Sequence, residues 1–583
     1  MFIERRTSRG HTYLWLTHKG RVNGKSVRIF SKYLCPEDAL LEHIENIELT
    51  IKPETKIFSY DFGLPVVLMS FAERLDLINI INKCTFKRDQ GLTVGSYMVI
   101  AALQRCINPQ SKVHIKKWYN STYLRYMFPE ITTYLDSLAY TNHYPYLTKD
   151  SMELIETEIA KKLKEEFKVE MKELFFDPTN FFTYTNPGRE NQKLFGHGHS
   201  KEGRHTLNLI NLSLVCTRDG GIPIIHCTYP GGTADAVHFK KQYPKILTRL
   251  RKLKASNSTV TLVFDKGNIS PEVFQAFDDS EIYWVCSVRP STQKEFKNLS
   301  WDDFPIFELP NKKEIGILEF ERPMFSESAI KKSSVPDYEN PDRRLIVQYN
   351  PERARWNEKN LIRKLQARID KINKYFKGPD KRLENTKKYW KWKKKSAVET
   401  KIKNIITENE KEEYLNYIGY KMKQIRNTNE KDLKIQYEIG IKENALQEYV
   451  KTLGKSYYMT NHPTMSKVDI IWLYRQQFNV ERAFKYLKHP DLIRIRPMWV
   501  YTDDSVQGFN FTCILGLLLL TLLTREVNKS FPELGLFTIK DLLSEIKLAE
   551  IEFTGYGKKI RKIFENSPEA QKLLDFFELE NII

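Results

Sequence analysis

KELFFDPTNFFTY, residues 172–184, decides how the middle of this chain is read. An apolar run, LFF, closes on a carboxylate, Asp177, and turn chemistry follows at Pro178-Thr179-Asn180. Such a run reads as a strand ending in an aspartate at a strand-to-loop junction, where binding groups concentrate. The pattern repeats downstream. STVTLVFDKG (258–267) is a second apolar run closing on Asp265, with Lys266-Gly267-Asn268 as its turn. Thr179 and Gly267 are expected to shape the turns that aim the two aspartates. Between these runs, LNLINLSLVCT (207–217) and IPIIHCTY (222–229) flank RDGG, a hairpin turn. AVHFKKQYPKILTRLRKLK (236–254) is an amphipathic helix, and EIYWVCSVRP (281–290) is a further strand. Strand, hairpin, helix, strand, helix and strand specify a mixed α/β sheet.

A third carboxylate stands in YRQQFNVERAFKYLKHP, residues 474–490. Drawn as one continuous helix, the stretch puts Tyr474, Gln477, Glu481, Lys485 and Lys488 on one stripe about 80° wide. Leu473, Val480, Phe484 and Leu487 fall on the adjoining face and would meet a core. Three carboxylates converging on one point repel unless hard cations neutralise them. Mg²⁺ suits such a site because it takes few protein carboxylates and accepts phosphate oxygens. Two such ions, about 3.5–4 Å apart, support in-line displacement at phosphorus. On this reading Asp177, Asp265 and Glu481 are both catalytic groups and metal ligands, and the cations around Glu481 meet substrate phosphates.

The whole chain bounds these readings. With 583 residues it exceeds one core, and three or more domains are expected. Lys and Arg number 92 against 73 Asp and Glu, a net charge of +19 that favours a polyanionic partner, nucleic acid before membrane. Seven scattered cysteines without a CxxC pair argue against a disulfide framework and fit a reducing cytoplasm. MFIERRTSRG at the start has no apolar segment of the kind that directs secretion. The most apolar run, Phe509 to Leu523, is too short for a bilayer and reads as a buried helix, so no membrane is expected.

Six segments are expected. Residues 1–55 form a small β-rich module with a turn at Val22-Asn23-Gly24, and 56–168 a helical, DNA-end-binding region. Residues 169–292 carry this mixed sheet, 293–462 are a long charged excursion, 463–528 carry Glu481 and the apolar helix, and 529–583 are a helical tail. The excursion holds strand-like EIGILEF and RRLIVQY and a basic helical stretch from Asn357 to about Lys403. Within it KKYWKWKKK (387–395) interleaves aromatics with lysines, which suits phosphate neutralisation with base stacking. The histidines of GHGHSKEGRH (196–205), His197, His199 and His205, have a spacing that makes a poor zinc signature.

These pieces together resemble the DDE transposases of bacterial and archaeal insertion sequences whose last catalytic helix carries a Y-x2-R-x3-E-x6-K signature. Here the signature reads Tyr474-x2-Gln477-x3-Glu481-x6-Lys488. The likeness continues through FFDPTNFFTY, GHGHSKEGRHTLNLINLSLV, GGIPIIHCTYPGGTAD, LVFDKGNIS, LGKSYYMTNHP, IRPMWVYTDDSVQGF and FTCILGLLLLTLL. MFIERRTSRGHTYLWL and CINPQSKVHIKKW near the N-terminus belong to it too. The resemblance implies an RNase H-like core interrupted between the second aspartate and the glutamate, with Asp177, Asp265 and Glu481 as the triad. It implies two Mg²⁺ ions, with Mn²⁺ as a substitute, and double-stranded DNA as partner, both inverted-repeat ends and target. It also implies a homodimer on DNA, and a place with the nucleoid in a prokaryotic cytoplasm. Phosphodiester hydrolysis would free a 3′-OH that then attacks the target, without ATP or a covalent protein intermediate. Tyr474, Arg475, Gln477, Lys485 and Lys488 would grip DNA phosphates, with Lys201 and Arg204 of the loop after the first aspartate. Trp390 and Trp392 are the candidates for stacking a flipped base, with Trp356 and Trp301 behind them. Two positions depart from the pattern. Gln477 replaces the signature arginine, which removes a charge from the phosphate grip and puts a hairpin-ended route in doubt. Phe509 stands where many relatives have histidine. The competing readings are a non-catalytic DNA-binding regulator derived from a transposase, and a metal-dependent nuclease that cuts without joining.

Overall fold

The computed structural model describes residues 1–22, 25–40, 55–87, 91–186, 188, 192–253, 259–384, 388–408, 412–426, 433–553 and 558–583. The turn expected at Asn23-Gly24 lies outside them. The chain divides into two compact units. One comprises residues 1–67, 119–129 and 537–583, the other 68–118 and 130–536.

The smaller unit opens with three antiparallel strands, Phe2–Ser8, His11–Val22 and Lys25–Pro36. Its second sheet pairs Lys547–Phe553 with both Lys558–Ile563 and Thr55–Asp61. The tail expected to be helical therefore carries two strands, and residues 55–61, placed mostly in the helical block, form a third. The reason lies in KLAEIEF, where Leu548 and Glu550 are both buried, which blurs the alternation of a half-exposed strand. Glu550 is 1% exposed and is matched by Arg561 at 3.0 Å and the Tyr126 hydroxyl at 3.0 Å.

The larger unit is built on one nine-stranded sheet. Its strands are β1 (Glu173–Thr183), β2 (Asn208–Thr217), β3 (Pro223–Pro230), β4 (Thr261–Phe264), β5 (Tyr283–Ser287), β6 (Ile306–Glu308), β7 (Glu314–Pro323), β8 (Asp342–Tyr349) and β9 (Lys455–Thr460). The order across the sheet is β6-β7-β8-β9-β5-β4-β1-β2-β3. β2 runs antiparallel to both of its neighbours, β1 and β3, while β1, β4 and β5 run parallel. β4 is buried along its length, as a strand flanked by strands and covered on both faces must be.

Five helices bear on the site: α1 (Lys149–Glu166), α2 (Asp235–Leu253), α3 (Lys467–Arg475), α4 (Phe478–Lys488) and α5 (Asp503–Asn528). α2 lies on one face, with Phe239 against Phe176 of β1 and Phe264 of β4, ring centroids 4.6 and 5.4 Å apart. Successive side chains alternate along a strand, so Asp177 turns to the other face, where α4 packs on β1 and β2. α1 runs along the edge strand β3.

α5 is longer than the apolar run suggested. Thr502 caps it, accepting from the Ser505 amide at 3.3 Å, and acidic Asp503 and Asp504 fill the first turn, favourable at a helix N-terminus. By length and composition it is apolar enough to cross a membrane, yet nearly all of that stretch is buried inside the unit. It packs on helix Val94–Ile107, and Gly516 lets the backbones approach. A Cβ there would stand 3.2 Å from the Ala102 carbonyl oxygen.

The segment between β5 and α3 does two things. β6, β7 and β8, with β9, extend the same sheet antiparallel from β5. Residues from 351 to 453 gather a separate apolar core around Leu365, Ile372, Phe376, Trp392, Val398 and Tyr437. The basic helical stretch expected there is two helices, Pro351–Lys377 and Lys395–Ile406, separated by the Trp390–Lys393 turn.

Candidate active site

β1 and β4 bring the two aspartates side by side. Their parallel pairing runs from Glu173↔Thr261 to Phe175↔Val263, so Asp177 and Asp265 each lie two residues beyond the last pair. Asp177 does not end its strand, as the sequence suggested. β1 continues to Thr183, paired with β2 alone. Pro178 is tolerated because at that point β1 has lost its neighbour on the β4 side.

Asp265 is held by three donors. Its Oδ1 accepts from the Lys266 amide at 2.8 Å, from the Ser287 hydroxyl at the end of β5, and from the Tyr474 hydroxyl at 3.1 Å. Burial and the Asp265 charge push the Tyr474 phenol up, so it stays a neutral donor. Ser287 escaped the sequence reading. Its position at the end of the strand parallel to β4 is the signal that could have found it.

The signature stretch is not one helix. α3 stops at Arg475 and α4 starts at Phe478, with Gln476 and Gln477 between. The side chain of Gln476 accepts from Arg218 Nε at 2.5 Å, an anchor that fixes the break. The single stripe drawn through Tyr474 and Lys488 is therefore replaced by two helices, each bringing one end to the site. α3 delivers Tyr474 to Asp265. α4 delivers Glu481 from its first turn and Lys488 from its last.

Glu481 is exposed, and its carboxylate has no hydrogen-bond or ion-pair partner among the described residues. Asp177 is strongly perturbed. Burial pushes its carboxyl up to about 7, Asp265, Glu481 and Asp235 push the same way, and Lys201 opposes them. Three carboxylates with too little cationic charge between them, all oxygen donors, fit a hard divalent cation. Among the described residues no three His, Cys, Asp or Glu side chains stand close enough to form a ready-made metal cage.

The cations are placed unequally. Lys488 Nζ donates to Thr179 Oγ1 at 3.0 Å and to the Asn180 carbonyl at 2.8 Å, and pairs with Glu202 at 3.0 Å. Burial pulls its ammonium down, Glu202 acting against it. Arg496 reaches the other Glu202 oxygen at 2.6 Å. Glu202, missed in the sequence, is thus the hub between two cations. Lys201 donates to the Pro178 carbonyl at 2.5 Å and pairs with Asp235 at 3.2 Å. Arg204 is exposed and lies 5.9 Å over the Phe182 ring. Lys485 is exposed on α4, and Gln477 is half-buried just before its first turn. Arg475 feels the charges of Tyr458 and Glu352, and burial lowers its guanidinium. Phe509 is buried, with the Arg105 guanidinium 5.2 Å over its ring. Of the tryptophans, Trp392 is buried against Phe376 and Tyr375, so its ring is not free to stack on a base. Trp390 and Trp356 are exposed at 68% and 67%, and Trp301 at 38%.

Comparison with known proteins identifies the family. A family model described as "Transposase DDE domain" matches residues 170–519, more than half of the chain, and that span contains Asp177, Asp265 and Glu481. No curated protein matches the chain. Among solved structures the chain is similar to the piggyBac transposase, in a cryo-EM synaptic complex with hairpin DNA. Identity is 8% and the TM-score 0.37, over 82% of this chain and 79% of that one. The chain belongs to the family of transposases with a DDE domain.

Proposed function

We propose that this transposase acts on the inverted-repeat DNA ends of an insertion sequence, within the Y-R-E-K signature class, and that Asp177, Asp265 and Glu481 are its catalytic carboxylates. The observation that carries the reading is their convergence. Two come from parallel neighbours β1 and β4 and one from α4, and the charges of Asp265 and Glu481 both act on Asp177. The β3-β2-β1-β4-β5 order, antiparallel then parallel, supports an RNase H-like core interrupted between β5 and α3.

Two Mg²⁺ ions, or Mn²⁺ in their place, held by these carboxylates would supply Lewis acidity and an activated nucleophile at phosphorus. The chain's own groups do the rest. Tyr474 and Ser287 fix the Asp265 carboxylate, so its free lone pairs keep one direction. Lys488, anchored on Thr179 and Asn180, presents positive charge two residues from Asp177 and would meet the phosphate beside the cut. Lys485, Lys201, Arg204, Tyr474 and Gln477 would grip further phosphates of the DNA, together with Arg475. The reaction is hydrolysis of a phosphodiester to a 3′-OH, followed by attack of that hydroxyl on target DNA. A homodimer would bring two ends together, in the cytoplasm with the nucleoid.

The test uses purified protein, Mg²⁺, a labelled duplex carrying the element ends and a supercoiled plasmid, resolved on denaturing gels. Cleavage at the element boundary and joining to the plasmid, both absent in Glu481→Ala, is the expected result. Cleavage without joining would leave a nuclease, and binding without cleavage in Mg²⁺ or Mn²⁺ would leave a regulator.

A further inference from the structure

The loop after β1 carries Lys201 and Glu202 side by side, and the two take different partners. Glu202 bridges Lys488 and Arg496. Lys201 works on the other side. Its ammonium donates to the carbonyl of Pro178, the residue after Asp177, and pairs with Asp235 Oδ2 at 3.2 Å. The loop is pinned to β1 through Asn180. That side chain donates to the His199 carbonyl at 2.8 Å and accepts from the Lys201 amide at 3.1 Å.

Asp235 opens α2, and a carboxylate suits a helix N-terminus. That explains an acidic residue there but not what surrounds it. Its Oδ1 accepts from the Tyr229 hydroxyl at 2.8 Å. Tyr229 is buried on β3, and burial and the Asp235 charge push its phenol up, so it stays a neutral donor. Its ring stacks on His238 of α2, with centroids 3.4 Å apart and planes 4° from parallel. His238 Nε2 meets the Ser213 hydroxyl at 3.1 Å, and Ser213 is the residue of β2 paired with Pro178. A closed circuit therefore runs from Pro178 through Lys201, Asp235, Tyr229, His238 and Ser213 back to Pro178. The chain leading into α2 is fixed as well. Asn211 donates to the Pro230 and Thr233 carbonyls, both at 2.9 Å, and a Cβ on Gly231 would stand 2.0 Å from the Leu209 carbonyl oxygen.

We propose that Asp235 is a positioning residue for phosphodiester cleavage: backed by Tyr229, it holds the Lys201 ammonium beside Asp177, where that ammonium meets the phosphate being cut. A lysine is a point charge on a flexible four-carbon stem, and left alone it would be spread over many rotamers. An ammonium has three N–H donors. Pro178 and Asp235 take two of them, and among the described residues the third has no acceptor, which leaves it for a phosphate oxygen. The charge of Lys201 is the one that counters burial at Asp177, so the ammonium stands within reach of the carboxylates. Asp235 acts through Lys201 and not on the phosphorus itself. The inference rests on the transposase reading, because the phosphate it invokes is that of cleaved DNA.

The experiment is a double-mutant cycle on the full-length protein, read as the single-turnover cleavage rate of a saturating element-end duplex in Mg²⁺. Asp235→Ala should slow cleavage about 10- to 100-fold, the scale of a misplaced reacting group, while duplex affinity changes by less than about threefold. Lys201→Met should slow cleavage at least as much. Adding Asp235→Ala to Lys201→Met should slow it no further, because the group that Asp235 positions is already gone. Tyr229→Phe, which removes only the hydroxyl, should fall between the wild type and Asp235→Ala. A wild-type rate in Asp235→Ala, or in Tyr229→Phe if the alanine variant fails to fold, would overturn the inference and leave the transposase reading intact. So would single effects that multiply in the double variant, since Asp235 would then act independently of Lys201, for instance as a further metal ligand. A wild-type protein that binds its element ends without cutting them would overturn the catalytic reading, and this inference with it.

Discussion

Asp177 and Glu156 are both carboxylates set against one sheet, and the fold treats them in opposite ways. Glu156, on α1 beside the edge strand β3, is 6% exposed and fully matched. Its Oε1 accepts from the His226 amide at 2.9 Å and from the His226 ring, and its Oε2 from Arg249 at 2.8 Å. Burial alone would raise its carboxyl, but His226 and Arg249 outweigh burial and hold it below the usual range. Asp177, on the interior strand β1, is pushed up to about 7 by burial and by Asp265 and Glu481, with Lys201 acting against them. One carboxylate closes an exposed sheet edge and belongs to the architecture. The other is left short of positive charge, as perturbed carboxylates at functional sites are.

The largest effects test that contrast directly. Asp177→Asn, Asp265→Ala and Glu481→Ala are each expected to abolish strand cleavage, while the melting temperature of Asp177→Asn stays level or rises, since a repelled charge is removed. Glu156→Ala should do the reverse to stability. It leaves Arg249 buried without its counter-charge, at a cost of about 3–5 kcal/mol in denaturant unfolding. Equal destabilisation by Asp177→Asn and Glu156→Ala would erase the distinction.

Acid sharpens it. A depressed carboxyl stabilises the fold above its unfolded pKa and loses that contribution as pH falls through the folded value. Glu156 should therefore contribute fully at neutral pH and progressively less below about pH 4. In Glu156→Gln this part of the acid-unfolding slope should be missing. An unchanged slope would mean that the Glu156 cluster is not what acid breaks.

Smaller effects come from the cations. Lys488→Ala should lower DNA affinity and reduce the log–log salt slope by about 0.9, the share of one phosphate contact. Lys485, exposed on α4, should matter less, and equal losses would count against the anchored role of Lys488. Smallest is Gln477→Arg, expected to tighten binding of cleaved ends by a few-fold at most. Unchanged or weaker affinity would remove this position from the phosphate grip.

Much of this was legible in the sequence because chemistry at strand ends leaves a local trace. LFFD and VFD each announce an apolar strand and a carboxylate, and the neighbouring parallel placement of β1 and β4 accords with them. The misreadings have local causes too. Asp177 looked terminal because Pro178 and Asn180 resemble a turn, yet the hairpin partner β2 carries β1 on to Thr183. The wheel drawn from Tyr474 was continuous because nothing in QQ breaks a helix. The interruption depends on Arg218, more than 250 residues away in sequence. Glu202 carries no signal of its own, and Ser287 only its place at the end of a strand. Their roles exist only where Lys488, Arg496 and Asp265 arrive from distant segments. Trp392 reads like a surface aromatic among lysines, and only the core around Phe376 shows where its ring goes.

The most direct measurement is calorimetric titration of Mn²⁺ into the wild-type protein bound to its element-end duplex, and into the Asp177→Asn, Asp265→Ala, Glu481→Ala and Glu156→Gln proteins. Saturable binding in the wild type and in Glu156→Gln, lost in each of the other three, is the predicted result. Binding that survives all three substitutions would contradict the assignment of these carboxylates as the metal-holding centre.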